Sequence, residues 1–404
     1  MTPTLDDARD LDARDRLASL RTRFLPAHDD GLVAYLDGNS LGRPPRATAD
    51  RLADFVDQQW GTRLIRGWNE GWLELPERIG DRIGEVCLGA APGQVAVGDS
   101  TTVCLYKVIR AAVSARPGRR EIVTDRDNFP TDRYVVEGIA GELGLTVRWI
   151  DVDPDRGATP EQVSTVVGED TAVVTLSHVA YRTGFVADMA AITRIAHEAG
   201  ALVVWDLCHS VGCLPVELDG LDVDFAVGCT YKYLNAGPGA PAFLYVRREH
   251  QDLRQPLQGW LGRLDAFDMA QGYEPANGVR SFLSGTPPVL AMLGVAEGVE
   301  LVAEAGIGRI REKAAALTAF AVALADDRLA PLGLGLASPR DPAERGGHVT
   351  LRRDDAVELT AKLTEAGVLV DYRAPDGIRL GLSPLTTSFE ELWNAVDVIH
   401  ATAS

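Results

Sequence analysis

The chain reads as an α/β protein: a large domain on a mainly parallel seven-stranded sheet, with a smaller α+β domain beside it. Three observations predict this. From about residue 94 short apolar runs alternate with helical stretches; after about residue 290 the pattern turns to long amphipathic helices and two further strand-like runs; and neither an internal repeat nor a low-complexity linker interrupts the chain.

The seven runs are QVAVGD, EIVTD, TVRWIDVD, TAVVTLSH, ALVVWD, FAVGC and AFLYV. Continuous apolar runs between helices fit a sheet covered on both faces. TVCLYKVIRAAV follows the first run, and DMAAITRIAHEAG has apolar residues at helical spacing with a glycine stop. Later, VLAMLGVAEGVELVAEAG and RIREKAAALTAFAVALADD predict long helices, and HVTLRR and GIRLGL predict strands. Residues 1–30 read as a polar, charged helix, and YLDGNSLGRPP ends a short strand in a loop stiffened by Pro44 and Pro45. The expected division is residues 1–60 as a segment contributing to the small domain, 61–290 as the large domain and 291–404 as the small domain.

Charge and composition narrow the function. A net charge of -18 argues against nucleic acid or an anionic membrane as partner. No apolar run approaches the roughly 18 residues of a membrane span, and the N-terminus MTPTLDDARDLDARD is acidic, so neither a transmembrane helix nor a secretory signal is expected. Cys87, Cys104, Cys208, Cys213 and Cys229 are odd in number and contain no C-x-x-C pair, which fits reduced thiols in a cytoplasmic protein.

Ligands of open α/β sheets sit at the carboxyl ends of the strands. Five predicted strand ends carry polar groups: Ser100, Thr101 and Thr102; the DNFPTD segment; Ser177 and His178; Asp206 and His209; and Lys232. The hydroxyls of Ser100, Thr101 and Thr102 can cap a helix or bind an anion at its N-terminus. Asp206 can ligate Mg²⁺, hold a structural salt bridge or pair with a protonated ring nitrogen. The chain has no G-K dipeptide, so a P-loop is absent, and GPGAPA precedes a strand instead of opening a helix, against a dinucleotide fingerprint. His209 reads as a core histidine, since H-S-V-G-C supplies no clear second metal ligand. No metal is expected.

Lys232 discriminates among these readings. Only four lysines occur, Lys107, Lys232, Lys313 and Lys362, and the last two stand in charged amphipathic stretches where solvated side chains are expected. Lys232 follows a buried strand between two tyrosines, a setting that favours a nucleophilic amine. Such a lysine downstream of a strand-end aspartate suggests a pyridoxal phosphate (PLP) Schiff base, with Asp206 keeping the pyridine nitrogen protonated.

At LDGNSLG, FPTD, SHVAYRTG, WDLCHSVG, YKYLNAGPG, GWLG, SGTPP and GIRLGLSPL, in this order from about residue 35 to 390, the chain resembles the kynureninases, fold type I PLP enzymes of the aspartate-aminotransferase superfamily. The resemblance implies a homodimer with active sites shared at the interface, and hydrolysis of L-kynurenine to anthranilate and L-alanine. It implies Lys232 as the Schiff-base lysine, Asp206 on the ring nitrogen and Phe129 stacked on the ring with Asp132 nearby. Thr101, Thr102, Tyr231 and Ser177 become cofactor contacts, mostly around the phosphate, and Tyr231 also a proton relay. His209 falls in the cofactor pocket, Trp260 and Thr286 on the phosphate side from the partner subunit, and Arg379 on the substrate α-carboxylate, a task suited to a planar fork. Trp68, Gly285 and Thr286 resemble the bacterial set, with Asn39 and Ser40 lining the same pocket. An indole offers a 3-hydroxyl no partner, so unsubstituted kynurenine is expected; packing is the competing role for Trp68. Arg263 and the segment LTTSF depart from the family pattern and leave 3-hydroxykynurenine or another ring-substituted kynurenine as the alternative substrate. A different fold type I lyase or aminotransferase is the other alternative, although no cysteine follows Cys229 to serve a desulfurase.

Overall fold

The computed structural model describes residues 3–27 and 31–404. The acidic N-terminal stretch forms a helix at Leu5–Arg14, closed at its start by a capping box between Thr4 and Asp7. It then breaks into a short 3₁₀ turn at Ala18–Arg23, so the single helix expected over residues 1–30 is shorter than predicted, and residues 28–30 lie outside the described residues. A two-residue strand, β1 (Ala34–Tyr35), follows.

The seven apolar runs become β2 (Val95–Val97), β3 (Glu121–Asp125), β4 (Thr146–Ile150), β5 (Thr171–Ser177), β6 (Leu202–Asp206), β7 (Phe225–Gly228) and β8 (Phe243–Val246). They form one sheet in the order β2-β8-β7-β6-β5-β3-β4, parallel except at β8, which runs antiparallel to both its neighbours. Alternate residues face opposite apolar clusters: Val203 and Trp205 of β6 join one, Leu202 and Val204 the other. That double burial is why the inner strands read as unbroken apolar runs, while the edge strand β4 leaves Thr146 and Arg148 exposed. Because β8 reverses direction, β2 ends on the same edge as β5, β6 and β7, and this edge carries the site.

A four-stranded antiparallel sheet follows in the order β12-β13-β10-β9, from β9 (Gly335–Leu336), β10 (His348–Arg352), β12 (Asp371–Arg373) and β13 (Gly377–Gly381). A further strand, β11 (Val368–Leu369), pairs in parallel with β1. One apolar cluster unites Ala8, Ala34 and Leu36 with residues from Leu317 to Ile399, so both ends of the chain share a core. Just past β1, a bridge between Asp37 and Gly381 lays the Asn39–Ser40 loop beside β13.

Of the lysines expected to be solvated, Lys362 is exposed but Lys313 is not. It is 6 % exposed and paired with Asp15 at 2.7 Å, a partner from the opposite end of the chain. No helix among the described residues is long and apolar enough to cross a membrane.

Candidate active site

The carboxyl edge opens into a cavity of about 570 Å³ lined by Asp99, Ser100, Thr101, Thr102, Phe129, Asp132, Asp206, Cys208, His209, Tyr231, Lys232 and Thr286, among others. Four of the five predicted strand ends therefore contribute lining residues.

At the end of β2, Asp99 takes a left-handed backbone (φ 53°) that turns the chain into the helix Thr101–Ser114, whose first turn Ser100 caps through Val103 N–H. The unpaired N–H groups of that turn, with Thr101 and Thr102, face the cavity as an anion cradle. Beneath it the fully buried Lys107 donates to Asp99 Oδ2 (2.6 Å) and to the Phe282 carbonyl (2.7 Å). Lys107 thus ties the cradle to the segment that leads to Thr286.

Phe129 borders the cavity and stands edge-on to Tyr181. Its N–H donates to Asn128 Oδ1 (2.8 Å), which also accepts from the Ser177 hydroxyl (2.7 Å); Ser177 in turn lies 3.2 Å from Asp206 Oδ2. Ser177 therefore sits on the Asp206 side of the site. Asn128 is buried at the hub of this arrangement and was missed by the sequence reading, although DNFPTD contains it.

Asp206 ends β6, and Cys208 N–H anchors its Oδ1 at 2.7 Å. Close by, burial and then the neighbouring Asp206 and Asp125 carboxylates push the Asp132 carboxyl well above its ordinary range. Its buried Oδ2 has no partner within the chain.

Lys232 lies in a loop closed by Asn235 N–H on the Lys232 carbonyl (2.9 Å), with Asn235 itself left-handed, and by the Thr230 hydroxyl on the Pro241 carbonyl (2.6 Å). The LDGNSLG loop packs directly on it. Gly42 N–H donates to the Tyr231 carbonyl at 2.8 Å, and a Cβ at Gly42 would fall 2.4 Å from the Lys232 carbonyl oxygen, so only glycine fits there. Lys232 Nζ lies 3.3 Å from His209 Nε2. Burial, reinforced by the Lys232 charge, holds the His209 imidazole well below its usual range, so it is neutral and can accept. Tyr231 borders the cavity, and burial pushes its phenol upward.

The remaining predicted residues are spread more widely. Thr286 borders the cavity of its own chain, next to the exposed Gly285, whereas Trp260 does not reach it. Trp260 instead meets Trp68 edge-on (6.2 Å). Trp68 also packs against Trp72 (5.4 Å), and it lines a separate apolar groove of about 630 Å³ with Phe55, Trp60, Leu64, Ile65 and Leu290. This groove shares Pro288 with the cavity. Asn39 is fully buried, and Ser40 and Arg379 pair with each other on Asp371 instead of facing open space. His178 sits behind β5, 2.8 Å from Ser210 Oγ. One side-chain cluster among the described residues has metal-binding reach, Asp224 with Glu249 and His250; Asp224 is already occupied by His197, His250 and the Val203 N–H.

These residues fit PLP. A phosphate dianion suits the helix N-terminus with Thr101 and Thr102, Asp206 offers a charge for a protonated ring nitrogen, Phe129 offers a stacking face, and Lys232 supplies the amine. Asp132, its carboxyl held high by burial, borders the same cavity.

Comparison with known proteins agrees. Residues 81–368 match the family model "Aminotransferase class-V". Similar folds include a cysteine desulfurase from Thermococcus onnurineus NA1 (TM-score 0.80, 20% identity, 91% of this chain and 94% of that one). They also include a C-DES variant with glycine covalently linked to its PLP cofactor (TM-score 0.81, 19% identity, 94% and 98%). At that identity the likeness speaks for the fold alone. Sequence similarity goes further: the kynureninase of Pseudomonas fluorescens is 43% identical over 98% of this chain and 94% of its own length, and that of Burkholderia pseudomallei K96243 is 42% identical over 98% and 95%. Full-length similarity at this level, on a cavity that assembles the PLP-binding groups, places the chain in the class-V aminotransferase family and, within it, among the kynureninases.

Proposed function

We propose that this protein hydrolyses L-kynurenine to anthranilate and L-alanine with PLP as cofactor. The observation that carries the reading is the convergence of Lys232, Asp206, Phe129 and the Thr101–Thr102 helix start on one cavity, in a chain so similar to the kynureninases. The bound cofactor supplies an electron-withdrawing ring that stabilises negative charge at the substrate's Cα and, later, at Cβ.

The chain's own groups do the rest. The helix start and both threonines would hold the phosphate, and Asp206, braced by Cys208 N–H and Ser177, would keep the ring nitrogen protonated. Lys232 would take the Cα proton, with His209 neutral beside it as an acceptor that orients the amine. Water adds to the γ-carbonyl; the Cβ–Cγ bond breaks, its electron pair staying on Cβ, which takes up a proton as alanine while the aryl acid leaves. Tyr231, its proton firmly held, borders the same space as a donor for that last step.

The groove beside the cavity supports a homodimer with shared sites. Trp60, Leu64 and Ile65 are 51%, 58% and 76% exposed there, an apolar face that a second copy would cover. Trp68 on that face would then contribute to the aryl pocket and favour an unsubstituted ring.

The test is direct. Purified protein loaded with PLP should release fluorescent anthranilate and alanine in equal amounts from L-kynurenine, and Lys232→Ala should abolish release while leaving a folded protein. Cofactor binding with no anthranilate from any kynurenine, or full activity in Lys232→Ala, would overturn the reading.

A further inference from the structure

Resting on the reading above, and on the resemblance that gives Arg379 the substrate's α-carboxylate, a buried arginine has to receive substrate: Arg379 is 1 % exposed and its guanidinium is almost fully engaged. Nε and Nη2 donate to Asp371 Oδ1 (3.0 Å) and Oδ2 (2.6 Å), Nη2 also to Ser40 Oγ (2.8 Å), and Nη1 to the Tyr181 carbonyl (2.6 Å). One N–H, on Nη1, is left over. The two-pronged contact with Asp371 is built into the sheet, because Asp371 on β12 and Arg379 on β13 are directly opposed cross-strand partners.

Asp371 has a second cation. Arg373 Nη2 donates to its Oδ2 at 2.6 Å, while Arg373 Nε is buried without a partner. Ser40 completes the cluster: its hydroxyl accepts from Arg379 and donates to Asp371 Oδ2 at 2.9 Å. Two guanidinium groups converge on the one Asp371 carboxylate here. Asp37 lies close enough to interact with all three charges, its own carboxyl pushed up to about 6, mainly by burial.

We propose that Asp371 is the positioning residue of the carboxylate-binding arginine. It locks the Nε–Nη2 edge of Arg379, so that the free Nη1 N–H and the Ser40 hydroxyl form the receiving pair for the α-carboxylate, and Arg373 shares the Asp371 carboxylate so that it stays in place when Ser40 turns away. The Ser40 proton can turn to the incoming carboxylate because Asp371 keeps two arginine partners without it. Fixing the planar fork in advance spares the ordering of a long side chain on binding.

The experiment compares ligands that differ in the carboxylate alone, using PLP-loaded enzyme. In Asp371→Asn, the KM for kynurenine and the Kd for L-alanine, read from the absorbance of the bound cofactor, should rise about 10- to 100-fold with kcat within about threefold. Inhibition by decarboxylated kynurenine, which has no carboxylate to place, should stay unchanged. Ser40→Ala should show the same selective pattern with a smaller rise. Equal weakening of both ligands would reduce Asp371 to a structural support, and an unchanged KM and alanine Kd would remove it from binding; either overturns the proposal. If Asp371→Asn does not retain cofactor, Arg373→Met carries the test: selective loss of alanine supports the proposal, and equal or no loss overturns it. The alanine titration needs no turnover, so a wild-type enzyme that binds alanine but releases no anthranilate would sink the kynurenine reading while leaving the role of Asp371 open to the same comparison.

Discussion

Replacing Lys107 with methionine tests how the anion cradle is held. The amine is completely buried and donates to Asp99 and to the Phe282 carbonyl. Methionine fills similar volume but leaves Asp99 without its cation and the carbonyl without its donor. Removing one partner of a buried ion pair costs about 3–5 kcal/mol. Asp99 is 28% exposed and water can partly rehydrate it, so about 2–3 kcal/mol is the better figure. With an unfolding entropy of roughly 2.1 cal/mol/K per residue, a cooperative transition of the whole chain would shift by about 2–4 °C. Because Asp99 turns the chain into Ser100, Thr101 and Thr102, the Kd for PLP should also rise, by about tenfold for the loss of one well-placed phosphate donor. Calorimetry gives the stability and equilibrium dialysis the cofactor affinity. A double-mutant cycle with Asp99→Asn supplies the control: the reasoning requires a coupling of at least about 1 kcal/mol. If the two single effects add within about 0.3–0.5 kcal/mol, the pair does not hold the cradle and the argument fails.

Asp125 gives a pH-dependent prediction. Burial, then the adjacent Asp127, push its carboxyl up to about 7, so the stability that its protonation contributes is present below the ordinary carboxylate range and lost as pH rises through 7. Asp125→Asn, which can still accept from Asp127 N–H, should gain about 1–3 kcal/mol on wild type between pH 5 and 8; a difference in Tm that is the same at both pH values would contradict this. Trp68→His should raise kcat/KM for 3-hydroxykynurenine relative to kynurenine, because an imidazole can pair with the added hydroxyl and an indole face cannot. An unchanged ratio would leave Trp68 as a packing residue of the groove. Ile65→Asp, placing a charge on the most exposed apolar residue of that groove, should give a monomer in sedimentation and lower the activity; a fully active dimer would count against the shared-site arrangement.

What could be read from the sequence follows from how local each signal is. The inner strands are apolar on both faces, so each is a short run needing no partner to be recognised, whereas the edge strand β4 leaves Thr146 and Arg148 exposed; the ligand edge follows from strand direction. Lys232 stood out because lysine is scarce and its loop follows such a run. Lys313 misled for the opposite reason: REKAAAL has the pattern of a solvated helix face, and nothing near it announces Asp15, which reaches it from the N-terminal segment. Lys107 was placed on its helix, but its two partners come from the preceding turn and from Phe282, far along the chain.

The carboxylate cluster is the sharpest case. In D-Y-R and G-I-R-L-G no residue signals a shared charge, because the pairing is created by the register of β12 on β13, and Ser40 arrives only through the bridge of Asp37 to Gly381. A family resemblance assigns Arg379 the substrate but says nothing of what the arginine does beforehand. An arginine waiting unpaired in a buried site would carry a large desolvation cost, so some acceptor has to hold it between turnovers. The acceptor must bind tightly enough to keep the fork in plane, yet leave an edge for the substrate. Asp371, shared between two arginines and relieved of the Ser40 proton when substrate enters, satisfies both requirements.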